Sequence, residues 1–262
     1  MLRDRMQQSR FELKYLIPEE TALLVRDFVR SYLQMDEYSV GRPNYSYPVH
    51  SLYLDSRQLA LYWDTINGTK NRFKLRLRYY STSADTPVFF EIKRRMNNCI
   101  LKQRGGVRQD SVGLLLSGHL PEAEHLVSKS SNQMMAIQRF CSLMDQVHAK
   151  PRVHIFYMRE AYVSDNDEVR VTLDRNVLAE PNLGFGVKTE MNHPVKSFDK
   201  EVILELKFTN RYPEWFRELV RTFHVMQCGA AKYVESVQGI GHNNIGADLP
   251  VIEQAPRFSR SW

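Results

Sequence analysis

Cysteine is scarce in this 262-residue chain: Cys99, Cys141 and Cys228 stand far apart, with no CxxC and no Cys/His spacing. An odd, scattered set of this kind excludes a disulfide framework and a structural zinc site, and it fits a reducing compartment. Long apolar runs are missing as well, and the basic start MLRDRMQQSR has no apolar core. On this reading neither a signal peptide nor a bilayer-crossing helix is expected, and the chain is expected in the cytoplasm. The eight histidines form no HxH or HExxH pattern, and the twelve glycines form no Walker-type loop. Histidine-ligated metal, phosphohistidine chemistry and phosphate binding at a glycine-rich helix start thus lose their usual signals. No internal repeat or interdomain linker appears, so residues 1–245 are expected to form one domain and 246–262 a loosely ordered tail.

What the chain has in excess is positive charge placed with period two. Lys and Arg number 36 against 30 Asp and Glu, a net charge of +6 that favours an acidic partner. The clearest run is Arg72-Phe73-Lys74-Leu75-Arg76-Leu77-Arg78-Tyr79-Tyr80, where cations alternate with large apolar residues as on a strand with two unlike faces. The same alternation recurs in Arg10 to Tyr15, Phe89 to Arg94 and Cys99 to Arg104, with turns expected around Ser83 to Pro87 and Asn97-Asn98. Further strands are expected at Val49 to Leu54, Val153 to Val163, Val169 to Asp174 and Val202 to Phe208.

Helical spacing fills the rest. Pro18, Glu19 and Glu20 open a helix running to about Leu33, and a short helix capped from Asp55-Ser56 ends at Asn67-Gly68. A helical insertion spans about Asp110 to Val147, with Met134, Met135 and Met144 as core filler, and two helices follow at Pro213 to Phe223 and Lys232 to Ile240.

An alternating strand ordinarily turns its polar face to water. Like charges along one face repel, however, and the neighbouring strands add Lys93, Lys102 and Arg104 rather than a neutralising set of acids. A closed antiparallel barrel with helices packed outside resolves this by turning the cations inward onto an anionic ligand. The fold class is accordingly α+β.

In order along the chain, Arg10-Phe11-Glu12-Leu13-Lys14-Tyr15, Ser51-Leu52-Tyr53-Leu54-Asp55, Lys74-Leu75-Arg76-Leu77-Arg78-Tyr79, Phe90-Glu91-Ile92-Lys93, Lys102-Gln103-Arg104, Arg159-Glu160-Ala161-Tyr162, Arg170-Val171-Thr172-Leu173-Asp174, Leu204-Glu205-Leu206-Lys207 and Lys232-Tyr233 resemble the catalytic domain of the vacuolar transporter chaperone (VTC) family, within the CYTH-like triphosphate tunnel metalloenzymes. The resemblance implies an eight-stranded tunnel, a divalent Mn²⁺ or Mg²⁺, and growth of inorganic polyphosphate from the γ-phosphate of ATP. Relatives instead hydrolyse tripolyphosphate or thiamine triphosphate, or cyclise ATP, so the fold does not select the reaction. Arg10-x-Glu12-x-Lys14 stands where the CYTH pattern reads Glu-x-Glu-x-Lys, which favours the VTC branch, while Ala230-Ala231 replace a small hydroxyl residue usual before Lys232-Tyr233. The SPX-type domain and transmembrane helices of larger relatives have no counterpart in the sequence, so membrane placement would come from a protein partner.

Transfer between phosphates needs positioning and charge neutralisation more than a general base. Lys14, Lys74, Arg76, Arg78, Lys93, Arg159, Arg170 and Glu205 are the candidate catalytic residues. Arg10, Tyr53, Lys102, Arg104, Lys207, Lys232 and Tyr233 are the candidate contacts to ATP, polyphosphate or pyrophosphate. Glu205 leads as metal ligand, with Glu12 second and Glu91 or Glu201 as further choices; for each cation the competing role is an ion pair with Glu12, Glu91 or Glu205. A hydrolase of tripolyphosphate and a non-catalytic polyphosphate-binding module are the rival functions. Nucleic acid is disfavoured for want of exposed stacking aromatics.

Overall fold

The computed structural model describes residues 10–96 and 99–247. The expected turn at Asn97-Asn98 and the tail from residue 248 lie outside the described residues. The strands are β1 (Arg10–Ile17), β2 (Gln34–Met35), β3 (Ser46–Asp55), β4 (Asn71–Tyr79), β5 (Val88–Met96), β6 (Cys99–Val107), β7 (Lys150–Val163), β8 (Val169–Pro181), β9 (Val195–Lys196) and β10 (Val202–Thr209). The helices are α1 (Glu19–Val29), α2 (Ala60–Ile66), α3 (Val112–Leu116), α4 (Ser131–Gln146), α5 (Glu214–Thr222) and α6 (Lys232–Ile240).

All strand pairs are antiparallel, in one sheet of ten strands ordered β2-β7-β3-β4-β5-β6-β1-β10-β8-β9, with β7 also pairing with β8. This corrects the expectation of a closed eight-stranded barrel in two ways. Two further strands, β2 and β9, flank the long ones, each only two residues long and without alternation of its own. Closure is also incomplete at one seam, since among the described residues β1 and β6 share a single residue pair, Arg10 with Ile100, whereas β1 and β10 are paired from Arg10 with Thr209 to Ile17 with Val202. The curved sheet is better described as a cuff.

Three apolar clusters hold the cuff in shape, and strand parity decides which side chains enter each. Outward-facing Leu75, Leu77, Phe90 and Ile92 pack under Ile137, Phe140 and Leu143 of α4. The approach of α4 is close at Gly105, where a Cβ would lie 2.7 Å from Ile137 and 2.8 Å from the Gln133 carbonyl, so only glycine fits. Of the insertion's methionines Met144 is buried and Met134 half-buried, but Met135 is 57% exposed and is not core filler. On another sector, α1 and α5 cover Leu204, Leu206, Val171 and Leu173 with Ala22, Val25, Phe216 and Leu219.

The third cluster lies on the concave face. Leu16, Ile203, Val153, Ile155, Val177 and Ala179 receive Val234 and Val237 of α6. Register places Ile203 one inward step from Glu205, and Ile155 two steps from Arg159, so α6 covers an apolar stretch of the same face that carries the charges. α6 is tied down by the Tyr233 hydroxyl, which donates to Asp55 Oδ2 at 2.8 Å. Asp55 also accepts the backbone N–H groups of Ser56, Leu61 and Tyr62 at 2.7 to 2.9 Å, capping α2 as the sequence implied.

Candidate phosphate-binding face

Period-two alternation turns one set of side chains from each long strand onto the concave face, and register shows which of them meet. Arg76 stands opposite Tyr53 and Glu91, Lys74 opposite Lys93, Glu91 opposite Arg104, and Lys93 opposite Lys102. Across the cuff, Lys14 is opposite Glu205 and Glu12 opposite Lys207, and Arg159 is opposite both Tyr47 and Asp174.

Glu205 is the hub. Its Oε1 lies 3.3 Å from Lys14 Nζ and 3.1 Å from Lys232 Nζ, and its Oε2 lies 2.5 Å from Lys207 Nζ and 3.4 Å from Arg159. Asp174 accepts both arms of Arg159 at 2.7 Å and pairs with Lys232 at 2.6 Å. Lys14 links the hub to Glu12, 3.5 Å away, and its amine donates to the Ala230 carbonyl at 3.0 Å. Glu12 in turn reaches across to Lys93 at 2.5 Å.

Burial alone would raise the carboxyl of Glu205, but Lys207, Lys232, Lys14 and Arg159 hold it well below the ordinary range. Glu12 is likewise lowered, with Lys93 and Lys14 overcoming the effect of burial. Both carboxylates are therefore ionised at neutral pH.

The opposing wall, β4 to β6, is different in kind. Arg72, Lys74, Arg76, Arg78, Lys93, Arg95, Lys102 and Arg104 face inward there with Glu91 as the one acid among the described residues of these rows. Glu91 is fully buried and takes Arg76 at 2.7 Å and Lys102 at 2.5 Å. Among the described residues, Lys74, Arg78 and Arg104 have no carboxylate partner. Arg78 is buried, donates one amine to the Tyr157 hydroxyl at 2.9 Å, and leaves its Nε without a partner. Burial, with Lys14, Lys93 and Arg72 close by, pushes Lys74 down to about 8. The Tyr53 hydroxyl accepts from Arg76 at 3.1 Å, and against burial Arg76, Lys74 and Arg78 pull it down to about 8. Burial and the neighbouring cations thus act together on Lys74, so a bound anion would favour its charged form.

The structure thus gathers Lys14, Tyr53, Lys74, Arg76, Arg78, Lys93, Lys102, Arg104, Arg159, Lys207, Lys232, Glu12, Glu91 and Glu205 on one face. Arg170 lies at its edge, paired with Asp36 at 2.6 Å. Tyr233 stacks on Tyr53 with ring centroids 4.9 Å apart and spends its hydroxyl on Asp55. Glu201 does not join, being exposed ahead of β10. The Arg10 side chain lies outside the described set. Asp174, Tyr157 and Thr172 belong to the face without having been singled out, although Asp174 shares parity with Arg170, and Tyr157 with Arg159. Among the described residues no three His, Cys, Asp or Glu side chains converge as a ready cation site. The available acids are Glu12 and Glu205, bridged by Lys14.

Comparison with known proteins gives a family match along most of the chain. The family model described as VTC domain matches residues 9–240. Vacuolar transporter chaperone complex subunit 2 of Schizosaccharomyces pombe is 28% identical over 131 residues, which is 47% of this chain and only 18% of that protein. Among solved structures, a putative adenylate cyclase from Bacillus halodurans aligns with 86% of this chain and 94% of its own at a TM-score of 0.48 and 15% identity. The Schizosaccharomyces pombe Mediator head module aligns at a TM-score of 0.38 and 8% identity, covering 82% of this chain and 89% of that one.

Proposed function

This chain belongs to the VTC domain family, and from that premise we propose that it is a metal-dependent polyphosphate polymerase, moving the γ-phosphate of ATP onto an inorganic polyphosphate chain held on the concave face. The observation that carries the reading is the wall of β4 to β6, whose inward cations have Glu91 as their one acid among the described residues of these rows. A polyphosphate, charged along its whole length, supplies the missing negative charge along the row.

The terminal phosphate of the acceptor is already ionised, so attack on the γ-phosphorus needs no base; the new P–O bond forms as the bond to the β-phosphate oxygen breaks and ADP leaves. Arg78, whose Nε has no partner, offers donors to the equatorial oxygens, Arg76 and Arg159 add positive charge from their ion pairs with Glu91 and Asp174, and Lys14, Lys93, Lys207 and Lys232 act as point charges on donor and acceptor phosphates. A divalent cation belongs to the proposal. Mg²⁺ and Mn²⁺ use one or two carboxylates and complete their shell with water and substrate phosphate. Glu205 and Glu12, sharing Lys14 at 3.3 and 3.5 Å, make such a donor set once phosphates draw the lysine away. When bound, the ion would polarise the transferred phosphoryl group.

The fission yeast relative is a complex subunit by name, and by likeness to it we place this chain in a protein complex too. Among the described residues no helix is long and apolar enough to cross a membrane, so in this proposal a partner sets any membrane position.

The deciding experiment incubates purified protein with ATP and Mn²⁺ and reads long anionic chains on a gel beside a free-phosphate assay. Chain growth is expected. Phosphate release without chains would replace the polymerase by a hydrolase, and tight polyphosphate binding with neither product would leave a binding module.

A further inference from the structure

The inner row of β3 has two unlike ends. Tyr53 lies against α6, whereas Tyr47, six residues earlier, lies about 20 Å further along the strand, away from that helix. Tyr47 is the register partner of Arg159, the arginine that holds Asp174 and Glu205. Two more tyrosine rings flank it, Tyr38 and Tyr80, each with its centroid 6.1 Å from that of Tyr47. Tyr47 is 7% exposed, but Tyr38 and Tyr80 are 61% and 37% exposed, so the group presents aromatic surface beside the charged face. Tyr80 follows directly on the end of β4.

The platform is fixed in place. The Tyr38 backbone N–H donates to Asp36 Oδ1 at 3.0 Å, the Asp36 carboxylate holds Arg170 at 2.6 Å, and the Asp36 backbone N–H donates to the Ala161 carbonyl at 2.9 Å. The loop carrying the exposed ring is thus anchored to β7 and β8, next to Arg159. A polyphosphate has no use for aromatic surface. A nucleoside triphosphate does, because its base offers a flat π-face at one end of a run of phosphates.

We infer that Tyr38, Tyr47 and Tyr80 form a base-stacking subsite that seats the nucleobase of a nucleoside triphosphate whose phosphates lie against Arg159 and the hub around Glu205. The inference rests on the proposed phosphoryl-transfer reading and adds to it the part of the donor that is not phosphate. Stacking reads the π-face and not the hydrogen-bonding edge, so purine triphosphates bind alike and discrimination among bases is weak.

The test compares two ligands, the β,γ-imido analogue of ATP and inorganic tripolyphosphate, by calorimetry on the full chain. The Tyr38→Ala/Tyr80→Ala double variant weakens the ATP analogue about tenfold while tripolyphosphate stays within about twofold. The Tyr38→Phe/Tyr80→Phe variant, which keeps the rings, binds both ligands as the wild type does. Equal weakening of both ligands in the alanine variant, or no weakening of either, overturns the base subsite and leaves phosphate binding standing. A wild-type protein that binds neither ligand overturns the phosphate reading and the subsite with it.

Discussion

The two halves of the concave face solve the problem of inward charge in opposite ways. On β1, β8 and β10, with Lys232 from α6 and Arg159 from β7, the acids Glu12, Asp174 and Glu205 are interleaved with the cations, and the network is complete without a ligand. On β4 to β6 Glu91 is the one acid among the described residues of these rows, Lys93 reaches across to Glu12, and burial with neighbouring Lys14, Lys93 and Arg72 pushes Lys74 down to about 8. The first half is braced by its own acids, while the second has few to balance its cations. A residue's effect on stability and its effect on binding should therefore separate according to which half it occupies.

The sharpest way to break this comparison is at the hub. Glu205→Gln leaves Lys14, Lys207, Lys232 and Arg159 without their shared carboxylate and should cost about 3–5 kcal/mol of stability, read by denaturant unfolding. A loss under about 1 kcal/mol would mean that the hub is not the internal brace described.

On the other wall the signs reverse. Lys74→Met should weaken polyphosphate binding by about tenfold or more, since a charge-assisted contact is lost. Stability should stay level or rise by up to about 1 kcal/mol as repulsion is relieved. A destabilised Lys74→Met protein with unchanged affinity would erase the distinction between the halves.

The pH dependence of binding follows from the same wall. Lys74 in the free protein is pushed down to about 8 by burial and by neighbouring Lys14, Lys93 and Arg72, Lys102 to about 7 by burial and by Arg76 and Arg78 despite Glu91, and Lys207 in the hub to about 8 by burial and by Arg159 despite Glu205. A polyanion favours the charged amines and raises all three, so binding takes up protons around pH 7 to 8. Affinity is then level below about pH 7 and falls as pH rises through that range, by up to about tenfold per unit for each proton taken up. Calorimetry in two buffers of different ionisation heat reads the uptake. Zero uptake at pH 8 in the wild type would show that the amines are already fully charged.

The smallest effect belongs to α6. Ala231 occupies its N-cap without a side-chain hydrogen bond, so Ala231→Ser should add about 1 kcal/mol of stability. No gain on unfolding would show that the helix start is already satisfied by its surroundings.

Much of this face was legible because a strand's period is an integer. Arg72 to Arg78 fixed their common side from four apolar neighbours, Phe73, Leu75, Leu77 and Tyr79, and Lys14, Lys93, Lys102 and Lys207 fell into line the same way. Parity along one strand says nothing about the register between strands, so it could not show that Lys14 bridges Glu12 and Glu205 or that Lys93 reaches Glu12. Glu201 marks the limit of parity, since it shares the phase of Glu205 but stands outside β10, where the chain has left the sheet. β2 and β9 were invisible because two residues carry no period. Exposed aromatics were ruled out from sequence, yet exposure is a tertiary property, and Tyr38 and Tyr80 sit beyond strand ends where no pattern constrains them.

The seam between β1 and β6 sets how the whole cuff can give. A ring bonded evenly all round keeps one girth, and widening it anywhere breaks a ladder. Here, among the described residues, a single clasp, Arg10 with Ile100, spans the seam, while the joints on either side of it run the length of their strands. Among the described residues this seam holds the fewest ladder bonds of any joint between the long strands, so a change of girth costs least there.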